Sequence, residues 1–192
     1  MWQIVLGYLA GSVPFAYLLA RQAGIDVRRA GSGNVGAANV LRTTGPWRGV
    51  VVMSLDVAKG VFAVVLATVT NAGATLTALA AAAAIVGHIY PVWLRFHGGK
   101  GVAVAAGVFA VLMPLATALA ATLFLVIVMA TRYVSLGSIA ATVALPPAAW
   151  LTGEPAAVVA AAAGTGLLIL FRHRGNIRRL RAGTERRMGV RA

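Results

Sequence analysis

The sequence predicts an all-α integral membrane protein, a bundle of seven transmembrane segments with its N-terminus outside and its C-terminus in the cytoplasm. Three observations predict it. Long apolar runs follow one another along the chain. Charged residues occupy only 11% of 192 positions, against about 25% in an average soluble domain. Apart from Lys59, basic residues gather between and after the apolar runs rather than within them. With 60% hydrophobic residues, bilayer is the expected solvent.

Six apolar runs cover 2–20, 49–70, 74–94, 102–130, 134–152 and 156–171. The first lacks a basic leader and holds Gly11, Ser12 and Pro14, so it reads as a retained span rather than a cleaved signal. The second carries Asp56 and Lys59 at i and i+3 on one helical face. An unpaired charge there costs roughly 2.5–3.5 kcal/mol, so the two are expected to pair toward the bundle interior, as a structural or a functional ion pair alike. The third holds an alanine run at 80–84, which reads as close helix packing, and His88, which reads as a hydrogen-bonded packing histidine.

The fourth run, as one helix, would be ~43 Å long against a hydrocarbon core of ~30 Å. Pro114 lies inside it, and a ring without an N–H breaks or kinks a helix. Splitting the run at Met113 to Leu115 gives seven segments and sorts the charges. Arg21, Arg28, Arg29, Arg42 and Arg48 then fall in the first inside loop, Arg95 and Lys100 in the second, Arg132 in the third and eight arginines in the tail, while the outside turns hold no basic residue. An unbroken helix would put Arg132 outside. The segment 102–113 is short for a full span, and a tilted or re-entrant path is the alternative. On this topology the chain is a single membrane domain, 1–192, with loops 21–48, 95–101 and 131–135 and tail 172–192 forming one cytoplasmic face.

The formal charge of +13, from 17 basic and 4 acidic residues, calls for anionic partners. Nucleic acid does not fit, because the basic residues flank membrane runs instead of covering a soluble surface set with aromatic platforms. The chain has no cysteine, which excludes disulfides, thiolate metal sites and thioester chemistry. Its acidic residues are scattered, so no metal and no cofactor are expected.

The densest polar segment is Gly31-Ser32-Gly33-Asn34-Val35-Gly36-Ala37-Ala38-Asn39, closed by Arg42. Glycines let backbone N–H groups turn toward an anion, Ser32, Asn34 and Asn39 add donors, and Arg42 can grip two phosphate oxygens. The segment therefore reads as a phosphate cradle. A second segment, Phe96-His97-Gly98-Gly99-Lys100-Gly101, has the wrong spacing for a nucleotide-binding P-loop, and Val102 lacks the hydroxyl that would hold magnesium. Nucleotide hydrolysis is not expected. Lys100 beside glycines at a helix start still suits a phosphate monoester. Only Lys59 and Lys100 among the 17 basic residues are lysines, which suggests sites that need a compact ammonium.

The third loop supplies Arg132, Ser135 and Ser138, and the tail supplies His173-Arg174-Gly175-Asn176. His173 and Asn176 stand at i and i+3 just past the last run, where one helical turn aims both at one point near the membrane surface. Arg181, Arg186, Arg187 and Arg191 need no more than anionic lipid headgroups, and residues 182–192 are expected to be dispensable for turnover.

Taken together, GSGNVGAANVLR, DVAKG, GHIYPVWLRFHGGKGVA, RYVSLGS and HRGNIRRLRAGTER, in this order and between these runs, resemble the bacterial glycerol-3-phosphate acyltransferase family called PlsY. The resemblance runs from Gly11 to Glu185. Ala38 and Val104 depart from it, each standing where the family commonly has threonine. The resemblance implies transfer of an acyl chain from acyl phosphate to the sn-1 hydroxyl of glycerol 3-phosphate, giving lysophosphatidic acid and phosphate, at the cytoplasmic side of the cell inner (plasma) membrane. It implies catalytic roles for Ser32, Lys100, His173 and Asn176, and substrate binding by Gly31, Gly33, Asn34, Gly36, Asn39, Arg42, Gly98, Gly99, Gly101, Ser138 and Glu185. Acyl phosphate, glycerol 3-phosphate and membrane lipids are the implied partners, and an acyl-phosphate-producing enzyme is compatible with them. The His-x4-Asp pattern of other glycerolipid acyltransferases is absent, because Trp93, Val102 and Arg178 stand where the aspartate would follow each histidine. The rival reading, a membrane transporter of phosphate or a small organic anion, predicts repeated halves and a midplane site. The polar motifs instead cluster at one predicted surface.

Overall fold

The computed structural model describes residues 1–189, so Arg191 lies outside the described residues. Every regular element among them is helical. The helices form two compact units, Met1–Leu112 and Met113–Ala192.

The first unit opens with α1 (Trp2–Ser12) and α2 (Phe15–Gln22), which together make one apolar span interrupted at Val13-Pro14. Pro14 has no N–H to continue the helical ladder, and at the interruption the Val13 carbonyl accepts the Phe15 N–H at 3.1 Å. Lys59 Nζ donates to the same carbonyl at 3.0 Å. After the first loop come α3 (Ala37–Thr44), α4 (Pro46–Val69), α5 (Gly73–Ile89), a single 3₁₀ turn at Val92–Leu94 and α6 (Val102–Leu112).

Small residues let these helices approach closely. Gly7 and Gly11 of α1 lie on the backbone of Ala80 and Ala84, where a Cβ would collide with the carbonyls. That contact uses the alanine run, in which Ala80, Ala81 and Ala84 are fully buried. Between α4 and α6 the arrangement is reciprocal: Gly60 faces the Val104 carbonyl and Gly107 faces that of Val57. Val104 is itself fully buried, so an apolar residue fits where the family carries threonine.

The second unit contains α7 (Pro114–Thr131), α8 (Val134–Leu151), α9 (Ala156–Arg172) and α10 (Arg174–Arg181). Gly137 of α8 packs on Phe124 and Val128 of α7. The long apolar run is broken at Met113, whose backbone is non-helical, with Pro114 beginning the next helix.

Among the described residues, five spans are long and apolar enough to cross a membrane: Trp2–Gln22, Pro46–Val69, Gly73–Leu94, Pro114–Thr131 and Val134–Leu151. Ala156–Arg172 with Arg174–Arg181, bent by 56°, makes a sixth if the pair is counted as one. The remaining segment of the expected seven is Val102–Leu112, whose 11 residues give a helix of only ~16 Å. It is apolar but too short to cross the bilayer upright.

Candidate active site

The first glycine-rich loop is held in shape from within. Asn39, in the first turn of α3, is buried, and its Nδ2 donates to the carbonyls of Val27 and Ala30, each at 3.0 Å. Its Oδ1 accepts the Ser32 N–H at 2.8 Å. Gly31 makes this possible in two ways: its φ of +61° suits glycine, and a Cβ there would collide with Asn39 Oδ1. The N–H groups of Gly33 and Gly36 also donate inside the loop, to Ala30 and Asn34.

The simple picture of glycine N–H groups all facing an anion therefore changes. Ser32, Gly33 and Gly36 spend theirs on the loop, and both amide donors of Asn39 are likewise engaged. What the loop presents outward is the exposed Ser32 side chain, half-buried Asn34, exposed Arg42 and an α3 N-terminus whose N-cap, Gly36, adds no side-chain bond. The acid in this loop, Asp26, is neutralised locally. Arg28 grips both its oxygens, at 2.9 and 2.7 Å, and holds its carboxyl down to about 2.

The second loop folds back on the end of α5. Arg95 and Phe96 take left-handed backbone conformations, and the Gly98 and Gly99 N–H groups donate to the carbonyls of Ile89 and His88, each at 3.1 Å. Gly98 and Gly99 are buried and lead to half-buried Lys100. Gly101, at φ +92°, starts α6 by giving its carbonyl to Ala105 at 2.8 Å. A Cβ on Gly99 would meet the Val35 carbonyl, so the two glycine-rich loops touch.

Beneath this contact lies a group that sequence reasoning only half located. Asp56 and Lys59 pair at 2.8 Å, both buried, as their spacing indicated. His88 joins them, with Nδ1 3.5 Å from the same Asp56 oxygen. No sequence signal links residues 32 positions apart on different helices; only the packing of α4 against α5 does.

In the second unit His173 sits at the α9 to α10 bend, 2% exposed. Its Nδ1 is 2.8 Å from the Ile169 carbonyl. A carbonyl only accepts, so Nδ1 carries the proton and, in the neutral ring, Nε2 keeps a lone pair. Asn176, one turn on and also buried, donates from Nδ2 to Glu185 Oε1 at 2.6 Å. Ser135 Oγ donates to the same oxygen at 2.9 Å, and Arg179 Nε reaches Oε2 at 2.7 Å. Burial pushes the Glu185 carboxyl up, but the three hydrogen bonds outweigh it and the net shift is downward. Ser138 is buried and donates to the Val134 carbonyl.

Glu185 thus ties α8, α10 and the tail together, a role its sequence position did not announce. The expectation that residues 182–192 are dispensable for turnover meets this contact, because deleting them removes the carboxylate to which Asn176, Ser135 and Arg179 donate. The tail continues to Arg187, which lies over the Tyr133 ring, and to Met188, whose N–H donates to the Arg132 carbonyl. Among the described residues no cluster of His, Asp and Glu could hold a metal ion.

Comparison with known proteins gives a consistent result. The family model described as glycerol-3-phosphate acyltransferase matches residues 1–183. The glycerol-3-phosphate acyltransferase of Rubrobacter xylanophilus is 44% identical over 189 residues, 98% of this chain and 95% of the relative. The crystal structure of PlsY, an integral membrane glycerol 3-phosphate acyltransferase, in its glycerol 3-phosphate form is 39% identical, covers 98% of this chain and 94% of that one, and superposes with a TM-score of 0.94. The same protein in its lysophosphatidic acid form gives a TM-score of 0.91 at the same identity and coverage. From this agreement of motifs, helices and relatives, the chain belongs to the glycerol-3-phosphate acyltransferase family and is an integral membrane acyltransferase.

Proposed function

We propose that this acyltransferase moves an acyl chain from acyl phosphate to the sn-1 hydroxyl of glycerol 3-phosphate, releasing lysophosphatidic acid and inorganic phosphate at the cytoplasmic face of the inner membrane. The observation that carries the reading is the contact of the two glycine-rich basic loops through Gly99 and Val35. Two adjoining anion-suited loops fit a reaction in which both substrates bear phosphate. Support for the acceptor and product comes from the solved relative, which is known in glycerol 3-phosphate and lysophosphatidic acid forms.

In this reading Ser32, Asn34, Arg42 and the start of α3 hold the acyl-phosphate group, with Asn176, while Asn39, Gly31, Gly33 and Gly36 give the first loop its shape. Lys100, set by Gly98, Gly99 and Gly101, and Ser138 bind glycerol 3-phosphate. The acceptor hydroxyl oxygen bonds to the acyl carbonyl carbon as its proton passes to His173 Nε2, which its Nδ1 bond leaves as the accepting nitrogen. Positioned donors stabilise the oxyanion, the carbon–oxygen bond to phosphate breaks, and phosphate leaves with the charge. Holding the two substrates together supplies much of the acceleration. The expected topology, seven segments with the N-terminus outside, puts loops 21–48, 95–101 and 131–135 and the tail in the cytoplasm.

The test is product formation by the purified protein in lipid with glycerol 3-phosphate and either palmitoyl phosphate or palmitoyl-CoA. Turnover is expected with the acyl phosphate alone. Loss of His173 in His173→Gln is expected to lower kcat by about 10²- to 10⁴-fold, the usual worth of a general base. Lys100→Ala is expected to raise the KM for glycerol 3-phosphate. Activity with the thioester alone would replace the donor, and His173→Gln with near-normal kcat would move the proton to a substrate phosphate oxygen.

A further inference from the structure

Asp56, Lys59 and His88 take no part in the transfer just described, yet they lie directly behind the second glycine loop. Lys59 Nζ reaches Asp56 Oδ1 at 2.8 Å and the Val13 carbonyl at 3.0 Å. His88 Nδ1 faces the same Asp56 oxygen at 3.5 Å. On its other side the ring meets Gly99, where a Cβ would collide with Nε2 and Cε1. The backbone of His88 engages the loop as well, since its carbonyl accepts the Gly99 N–H at 3.1 Å. Asp56, Lys59 and His88 line, together with Gly98, Gly99 and Phe15, one small cleft.

Two features make this arrangement more than packing. A buried ion pair is no more stabilising than well-packed apolar residues of similar size, so its energetic contribution alone does not account for its presence in a membrane domain. Consecutive glycines, moreover, carry no side chain to fix their own conformation and depend on what backs them. The His88 ring and carbonyl are that backing, and an Asp56 oxygen stands 3.5 Å from the ring's Nδ1.

We infer that Asp56 and His88 are positioning residues: Asp56, neutralised by Lys59, fixes the His88 ring, and His88 sets the path of Gly98-Gly99 and so the aim of Lys100 at the phosphate of glycerol 3-phosphate. This rests on the reading above that the second loop binds that substrate. The effect is specific to one substrate. A loop that wanders weakens the grip on glycerol 3-phosphate, while the acyl-phosphate groups on the first loop keep theirs.

The experiment measures kcat, both KM values, the unfolding temperature and its rise with added glycerol 3-phosphate, for protein in lipid. The variants are His88→Ala, His88→Gln, the charge-balanced pair Asp56→Asn with Lys59→Gln, and Lys100→Ala. Loss of the ring in His88→Ala is expected to raise the KM for glycerol 3-phosphate about tenfold and to shrink the ligand-induced thermal shift, with kcat and the donor KM within about threefold of wild type. His88→Gln, long enough to donate to Asp56 and back Gly99, is expected to recover most of the loss. The charge-balanced pair is expected to match His88→Ala, and adding His88→Ala to it should change nothing further, as for residues acting in series.

A purely structural role would lower the unfolding temperature or kcat and leave the KM for glycerol 3-phosphate in place, and that result overturns the proposal. Should His88→Ala fail to fold, His88→Gln and the charge-balanced pair decide the question by the same KM criterion. Lys100→Ala separates the two levels. An unchanged glycerol 3-phosphate KM in that variant refutes the substrate assignment of the loop, whereas a raised KM there with unchanged His88 and Asp56 variants refutes only the positioning network.

Discussion

At the residue scale, Asn39 shows how much a single side chain can do without touching a ligand. Its amide joins Val27, Ala30 and Ser32 in three hydrogen bonds across a turn that has no regular structure of its own. Each such bond contributes roughly 0.5–1.5 kcal/mol, so Asn39→Ala is expected to cost about 2–4 kcal/mol of local stability. Amide exchange of residues 27–34 measures it directly. Faster exchange throughout that stretch is expected; unchanged exchange with a weakened phosphate KM would make Asn39 a ligand after all. Asp26 illustrates a complementary point, because the grip of Arg28 keeps an acid in this loop from opposing the positive charge around it.

At the scale of elements, the polar tail is a strap. Glu185 accepts from Ser135 at the start of α8, 50 positions earlier, and from Asn176 and Arg179 on α10, so α8, α10 and the tail share one carboxylate. Its lowered folded value means that this contribution to stability is full above the usual glutamate range and is lost as pH falls through the lowered value. The unfolding temperature of wild type is therefore expected to exceed that of Glu185→Gln near neutral pH, with the gap closing on acidification. A gap independent of pH would show that charge plays no part. The break at Pro14 acts on the same scale: the Val13 carbonyl there accepts both the Phe15 N–H and the ammonium of Lys59.

For the molecule as a whole, exposed apolar side chains such as Phe62, Val65, Leu125, Met129 and Leu167 are what a chain solvated by lipid presents. The proposed topology is open to a simple test because the chain contains no cysteine. Single cysteines replacing Ala74 or Glu154 are expected to react with an impermeant maleimide in intact cells, and those replacing Arg48 or Arg181 only after permeabilisation. Labelling in the reverse order would invert the topology and move the proposed chemistry to the other face.

Whereas the break at Pro14 emerged only in the structure, composition and spacing were enough to give the solvent, the helical class, the break at Pro114, the Asp56–Lys59 pair and the segments that resemble one family. These are properties of composition and of spacing along one helix, and neither requires knowledge of what packs against what. Only the tertiary structure decided that Asn39 and the nearby N–H groups shape the first loop from inside, that Glu185 binds Asn176 and Ser135, and that His88 stands between Asp56 and Gly99. Each of those is a choice of polar partner that the spacing of residues along one helix does not dictate. Asparagine, glutamate and histidine offer the same donors and acceptors to a substrate as to a neighbouring helix, and packing alone selects which of the two they meet.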